Sequence, residues 1–251
     1  MNVELLPALA VIAGGFAAGC INVIAAGGSL ITIPLLIVIG IPATSANGTV
    51  RLAILVQGLT ATWRFHSEGA VDWAQVRRLV LPVWIGAAAG VLVAVNMADT
   101  DFKALIGWVT LFAGGVVAID FKGFLANREV SETAGNPIWL ALGLFAAGFY
   151  GGLAQAGVGY LFLAALVIAG GLELVQANVL KVVLIMAFTP LAIAVFGFNA
   201  KIHLEYALLL AVGQALGAYV GAGLTLDRGA ALIRPVLAAV VVAAAIKLIF
   251  F

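Results

Sequence analysis

Arg51 and Lys181 are the two residues whose type and position could do chemistry. Each is a cation inside an otherwise apolar segment of membrane length, and each follows an Ala-Asn pair, Ala46-Asn47 and Ala177-Asn178. Asn47 and Arg51 are four residues apart and Asn178 and Lys181 are three apart. On a helix each pair therefore shares a face. An amide beside a cation suits a small oxyanion, because both can donate to its oxygens. Ionisable groups in hydrocarbon are costly and are functional candidates by default. The competing assignment is that the two cations pair with carboxylates or carbonyls, or snorkel to an interface. Acids are scarce in the spans: Asp120 and Glu173 lie near segment ends.

Two small-residue breaks come next, Ala26-Gly27-Gly28-Ser29 and Ala156-Gly157-Val158-Gly159. A helix starting after such a break presents free N–H groups and partial positive charge, a ready anion site. Glycine also lets a ligand approach the backbone. Ser29, Gly28 and Gly157 therefore join Arg51, Lys181, Asn47 and Asn178 as candidate substrate-binding residues, with Gln155 beside the second break. Asn22, Gln57 and Gln214 read instead as hydrogen-bond partners between helices. Glycines spaced by four, such as Gly213, Gly217 and Gly221, or Gly86 and Gly90, read as close helix packing.

The elements that must hold these residues are membrane helices. Hydrophobic residues make up 65% of the 251 and charged residues 9%, against about 25% charged in a soluble domain. The net charge of +1 gives no polybasic surface for nucleic acid. A lone cysteine, Cys20, allows neither an intrachain disulfide nor a cysteine metal cluster. The first residues lack the basic n-region of a signal peptide and resemble a membrane segment. Apolar runs fall near 5–26, 28–41, 44–64, 76–96, 103–120, 136–156, 158–172, 174–198, 203–225 and 231–251. The runs 28–41 and 158–172 are short of the roughly 20 residues of a full span. They fit either short helices or re-entrant hairpins. Arg64, Arg77, Arg78, Lys122, Arg128, Arg228 and Arg234 all fall on one side if both termini face the other. The positive-inside rule then makes that side cytoplasmic and the termini periplasmic.

The chain also repeats itself. Ala17-Ala18-Gly19 recurs as Ala146-Ala147-Gly148, and Gly28 as Gly157. Two residues later in register, Gly40, Ala46 and Asn47 recur as Gly171, Ala177 and Asn178, and Gly86, Ala87 and Gly90 as Gly217, Ala218 and Gly221. Lys181 aligns with Val50, so the cations are one position out of register. Each half crosses an odd number of times. The expected fold is thus an all-α polytopic membrane domain over 1–251. It consists of two inverted repeats, about 5–120 and 136–251, of four to five helical segments each. Sites in such transporters lie at the midplane between repeats, often at broken helices.

No phosphate-binding GxxxxGK[ST] loop, HExxH or GxSxG occurs, so neither direct ATP use nor these enzyme classes are indicated. No cofactor or metal is expected. The stretch Gly27-Gly28-Ser29-Leu30-Ile31-Thr32-Ile33-Pro34, the block Gly40 to Thr49, and Gly69-Ala70-Val71-Asp72-Trp73 resemble the sulfite exporter family of TauE/SafE type. The weaker echo of these blocks in the second half fits too. That resemblance covers nearly the whole chain. It implies a bacterial inner-membrane carrier of sulfite, sulfoacetate or a related organosulfonate. The expected function is a secondary transporter working by alternating access on a small anion. The alternative is an uncoupled anion channel. Direction, coupling ion and oligomeric state, a homodimer included, stay open at this level.

Overall fold

The computed structural model describes residues 5–102, 104–105, 135–233, 235–237 and 239. They are helical, with no strand among the described residues. The first half gives α1 (Leu5–Ile24), α2 (Ser29–Val38), α3 (Ala43–Ser67) and α4 (Trp73–Asn96). The second gives α5 (Pro137–Leu153), α6 (Val158–Ala164) running on into a π-turn (Ala165–Ala169), α7 (Leu174–Phe198) and α8 (Leu204–Arg228). Local chemistry sets the ends. The Asp72 carboxylate accepts from the N–H groups of Ala74 and Gln75 and starts α4. Asn136 does the same for Ile138 and Trp139, with Pro137 at the first helical position of α5. Gly27 at φ 97° and Gly157 at φ 68° take the left-handed turns that interrupt each half.

Helices α4, α7 and α8 are long and apolar enough to cross a membrane on those grounds alone. Helix α3 is as long, at 25 residues, but carries Asn47, Arg51 and Gln57 inward. The two short runs now have a definite form. Helix α2 has 10 residues, roughly 15 Å at 1.5 Å per residue, half of a hydrocarbon core. Neither α2 nor α6 with its π-turn is a full span.

Packing follows the glycine ridges. Gly213, Gly217 and Gly221 on α8 lie against the α1 backbone at Ile12, Phe16 and Cys20 in that order. A Cβ on Gly221 would stand 2.8 Å from the Cys20 carbonyl oxygen. Gly148 and Gly152 on α5 lie against Val83 and Ala87 of α4, and Gly86 and Gly90 return the contact at Phe145 and Phe149. Hydrocarbon offers helices no hydrophobic drive to associate, so close backbone approach supplies the attraction. In both pairs the residue numbers rise together. Helices α1 and α8 are therefore parallel, and so are α4 and α5.

The ends of the bundle are defined by cross-links. Gln176 Nε2 donates to Gln75 Oε1 at 3.0 Å, joining the starts of α4 and α7. Arg64 Nη1 donates to the Tyr219 hydroxyl at 2.8 Å, near the ends of α3 and α8. Arg64, Arg77, Arg78 and Arg228 thus share one end. Lys201 lies at the other, where the His203 N–H donates to Thr49 Oγ1 at 3.0 Å near the start of α3. The four arginines fall on one side, as expected. Lys122, Arg128 and Arg234, also part of the charge argument, lie outside the described side chains. Helix α1 starts at the Lys201 end with α8, and α5 starts at the arginine end with α4. Leu92, Leu142, Leu208, Val212 and Leu216 point outward from α4, α5 and α8 and are exposed, as a lipid-facing shell requires.

Candidate functional site

Helices α1 and α5 both stop at a break. A helix end leaves up to four carbonyl oxygens without partners, and no bulk water is available in a bilayer to satisfy them. The sequence supplies the partners from the opposite half. Arg51 on α3 donates from Nη1 to the Gly151 carbonyl at 2.9 Å and from Nη2 to the Gly152 carbonyl at 2.7 Å. Nη1 also reaches Gln155 Oε1 at 3.3 Å. Asn47 Nδ2 donates to the Leu153 carbonyl at 3.1 Å, and its Oδ1 accepts from the Gln155 N–H at 3.1 Å. The last turn of α5 is therefore capped by α3.

Helix α7 treats α1 in the same way. Lys181 Nζ donates to the Asn22 carbonyl at 2.9 Å, to the Ala25 carbonyl, and to Asn178 Oδ1 at 2.7 Å. Asn178 Nδ2 donates to the Val23 carbonyl at 2.8 Å. The carboxyl end of a helix carries partial negative charge, so a cation there is favourable beyond its hydrogen bonds. Arg51 and Lys181 are 0% and 1% exposed. Among the described residues neither touches a carboxylate. Of the two readings of these cations, carbonyl partners are what the structure contains.

The breaks meet each other. Ser29 Oγ, at the start of α2, donates to the Gln155 carbonyl at 2.7 Å and accepts from the Gly157 N–H at 3.3 Å. The Tyr150 hydroxyl donates to the Ala156 carbonyl at 2.6 Å, closing the second break on itself. Ala26 packs on Gly159, which also lies beside the Lys181 side chain. The two candidate glycines differ in role. A Cβ on Gly28 would collide with the Ala18 carbonyl and stand 2.8 Å from Asn22 Cβ. Its missing side chain serves the packing of α2 on α1 rather than space for a ligand. A Cβ on Gly157 would meet nothing nearer than Tyr160 at 3.7 Å; what it needs is its positive φ.

Arg51 and Lys181 are brought to one region but not to one point. Helices α3 and α7 are antiparallel, with Gly58 facing Met186 and Gly48 facing Phe196, whose ring centroid is 4.9 Å from the Arg51 guanidinium carbon. By that register Lys181 lies level with about residue 63, about twelve residues and about 18 Å along α3 from Arg51. Arg51, Asn47, Gln155, Ser29 and Gly157 form one cluster. Lys181 and Asn178 form another, flanked by the expected interhelical pair Asn22 Nδ2 to Gln57 Oε1 at 3.2 Å. The Ser29–Gln155 contact sits beside Arg51, and the Ala26–Gly159 contact beside Lys181. The two breaks thus occupy the space between two positive charges. Gln214, expected to bridge helices, is buried with its Oε1 unpartnered.

Sequence reasoning passed over two hydroxyls. Thr32 Oγ1 and the Tyr160 hydroxyl are buried without a partner, as is Arg51 Nε. Thr32 lies one turn beyond Ser29 and Tyr160 one turn beyond Gly157. Their spacing of three from the break residues was the available signal. Among the described residues no cluster of metal-ligating side chains occurs.

A helical bundle with broken helices and cationic side chains sealed in its apolar core is the build of a polytopic membrane transporter. The family comparison specifies the class further. The model of the sulfite exporter TauE/SafE family matches residues 11–248, so the chain belongs to that family. It is 32% identical to a probable membrane transporter protein, ORF9, from Sinorhizobium sp.. That alignment covers 93% of this chain and 89% of the relative. A probable membrane transporter protein of Haemophilus influenzae is 29% identical over 88% of this chain and 86% of its own. The probable membrane transporter protein YfcA of Escherichia coli K12 is 26% identical over 93% and 86%. No solved structure matches the chain.

Proposed function

We propose that this transporter moves a small anion, sulfite or an organosulfonate, across the bacterial inner membrane by alternating access. The observation that carries the reading is the pair of sealed cations, Arg51 and Lys181, flanking the two breaks with no carboxylate partner among the described residues. Burying a charge is expensive unless it is compensated. Carbonyl oxygens compensate only in part, and a bound anion supplies the rest. In this reading the anion lies at the meeting of the breaks and takes hydrogen bonds from Arg51 Nε, Thr32 Oγ1 and Tyr160 OH, buried donors on these elements that have no protein partner. Ser29, Gly157, Asn47, Gln155 and Asn178 hold the breaks in shape around it. Lys181 and Gly28 act from outside direct contact, through charge and packing.

The reading of two inverted repeats is supported by the exchange of caps between halves and by the opposite senses of α1 and α5. Rocking of one half against the other would carry the breaks from one side to the other. The arginine-rich end is assigned to the cytoplasm on the positive-inside rule.

Flux in proteoliposomes tests this. Sulfite or sulfoacetate should show saturable uptake and counterflow, in which unlabelled anion inside accelerates entry of labelled anion. Flux that rises linearly without counterflow would make the protein a channel. No flux of either anion would remove the substrate class.

A further inference from the structure

We infer that Lys181 is a proton-binding site whose protonation latches the broken end of α1 to α7. The argument begins with valence. A lysine ammonium has three N–H donors and no acceptor. Lys181 Nζ faces three oxygens, the carbonyls of Asn22 and Ala25 and Oδ1 of Asn178. All three donors are used, so this conformation needs the protonated form. A neutral amine keeps two N–H groups and gains a lone pair. One of the three oxygens would then face a lone pair, and the cap on α1 would weaken. The proton leaves to water on whichever side the site opens.

Arg51 makes the contrast. It plays the same capping part on α5, but a guanidinium stays charged throughout. Its Nε remains unpartnered, whereas Lys181 has no donor to spare. The two halves are therefore chemically unlike at the same architectural position: one cation is permanent and has a donor for a ligand, and the other is reversible and saturated.

The surroundings leave Lys181 to titrate by itself. Helix α1 brings Cys20 towards the core, α3 brings Arg51, α5 brings Tyr150 and α6 brings Tyr160. At the arginine end, α3 adds Arg64, His66 and Glu68, α4 adds Asp72, Arg77 and Arg78, α7 begins after Glu173, and α8 adds Tyr219, Asp227 and Arg228. None of these hydrogen-bonds to Lys181, and among the described residues no carboxylate pairs with it. A latch on α1 acts on the site directly, because only residues 25–28 separate α1 from α2 and its Ser29.

This rests on the transporter reading for its purpose, coupling of proton and anion movement, but the latch can be tested without substrate. Spin labels would be placed at Val38→Cys on α2 and Phe198→Cys on α7, both exposed, in full-length Cys20→Ser protein in nanodiscs. Distances would be measured at acidic and alkaline pH. With Lys181 present, the single distance population of acidic pH should give way to a second at alkaline pH. Lys181→Arg should keep the acidic population at both. Lys181→Met should show the alkaline population at both, and it serves if the arginine variant does not fold. An unchanged distribution in the Lys181 protein would overturn the proposal, as would an equal shift in either variant. Anion flux in proteoliposomes, set beside the spin-label result, separates the two readings. A pH-dependent shift without anion flux keeps the latch and removes the anion. Anion flux without the shift removes the latch alone.

Discussion

The Lys181 ammonium rests 2.9 Å from the carbonyl oxygen of Asn22, which belongs to the last turn of a helix in the other half of the chain. Arg51 does the same to Gly151 at 2.9 Å in the reverse direction. Each half therefore finishes the hydrogen bonding of the other's broken helix. Each break is completed by the cation across from it, which ties the two halves together at the breaks.

The first prediction follows from that capping. Arg51→Ala leaves the carbonyls of Gly151 and Gly152 without donors, at about 1–3 kcal/mol each. The purified variant should therefore melt earlier than wild type, by roughly 2–6 kcal/mol in stability, even with no anion present. Arg51→Lys should recover part of this, because a point charge cannot span two carbonyls as the planar fork does. Wild-type melting of Arg51→Ala would show that the cap does not carry the end of α5.

The glycines at the breaks should separate. Gly28→Ala forces its Cβ into the Ala18 carbonyl, so α2 must move off α1 and thermal stability should fall sharply. Gly157→Ala meets no obstacle nearer than 3.7 Å and has only its left-handed conformation to bear, at about 1–2 kcal/mol. Equal losses in the two variants would contradict this division. The test is thermal unfolding in detergent.

Much of this was readable in advance, and the limits have physical causes. Glycine spacing of four announced close helix packing, because only a missing Cβ allows backbones so close, but not which helices would meet. The gathering of Arg64, Arg77, Arg78 and Arg228 at one end followed from loop positions. The partners of Arg51 and Lys181 were not readable. Carbonyl acceptors belong to every residue and leave no mark in side-chain sequence. The roughly 18 Å offset of the two backbone positions along α3 was hidden for a related reason. Similar positions in two halves look superimposable in sequence, yet antiparallel helices carry them to different depths. Gly28 and Gly157 also look alike on paper; only the backbone conformation tells packing from turning.

The orientation is tested by labelling. Ser67 and Asn199 are exposed at opposite ends of the bundle. In a Cys20→Ser background, Asn199→Cys should react with an impermeant maleimide added to intact cells, and Ser67→Cys should react only after lysis. The reverse pattern would turn the molecule over in the membrane and place the arginine-rich end outside.

The last prediction uses the two hydroxyls that have nothing to bond to. An unsatisfied buried donor is a cost to the empty protein, and replacing it by an apolar group of the same shape is close to neutral or stabilising. Thr32→Val exchanges the hydroxyl for a methyl group in a side chain of equal size. Tyr160→Phe deletes a single oxygen. Both variants should fold at least as well as wild type, because no protein partner loses a hydrogen bond. If Thr32 and Tyr160 instead donate to the transported anion, each change removes a hydrogen bond to a charged group, which contributes about 1.5–3 kcal/mol. Sulfite affinity should then fall roughly tenfold or more for each, measured by calorimetry or by half-saturation of uptake. The combination of unimpaired melting with weakened binding is what a ligand contact produces and a structural residue does not. Unchanged sulfite affinity in both variants would exclude these hydroxyls from the site and leave Arg51 Nε as its remaining unpartnered donor.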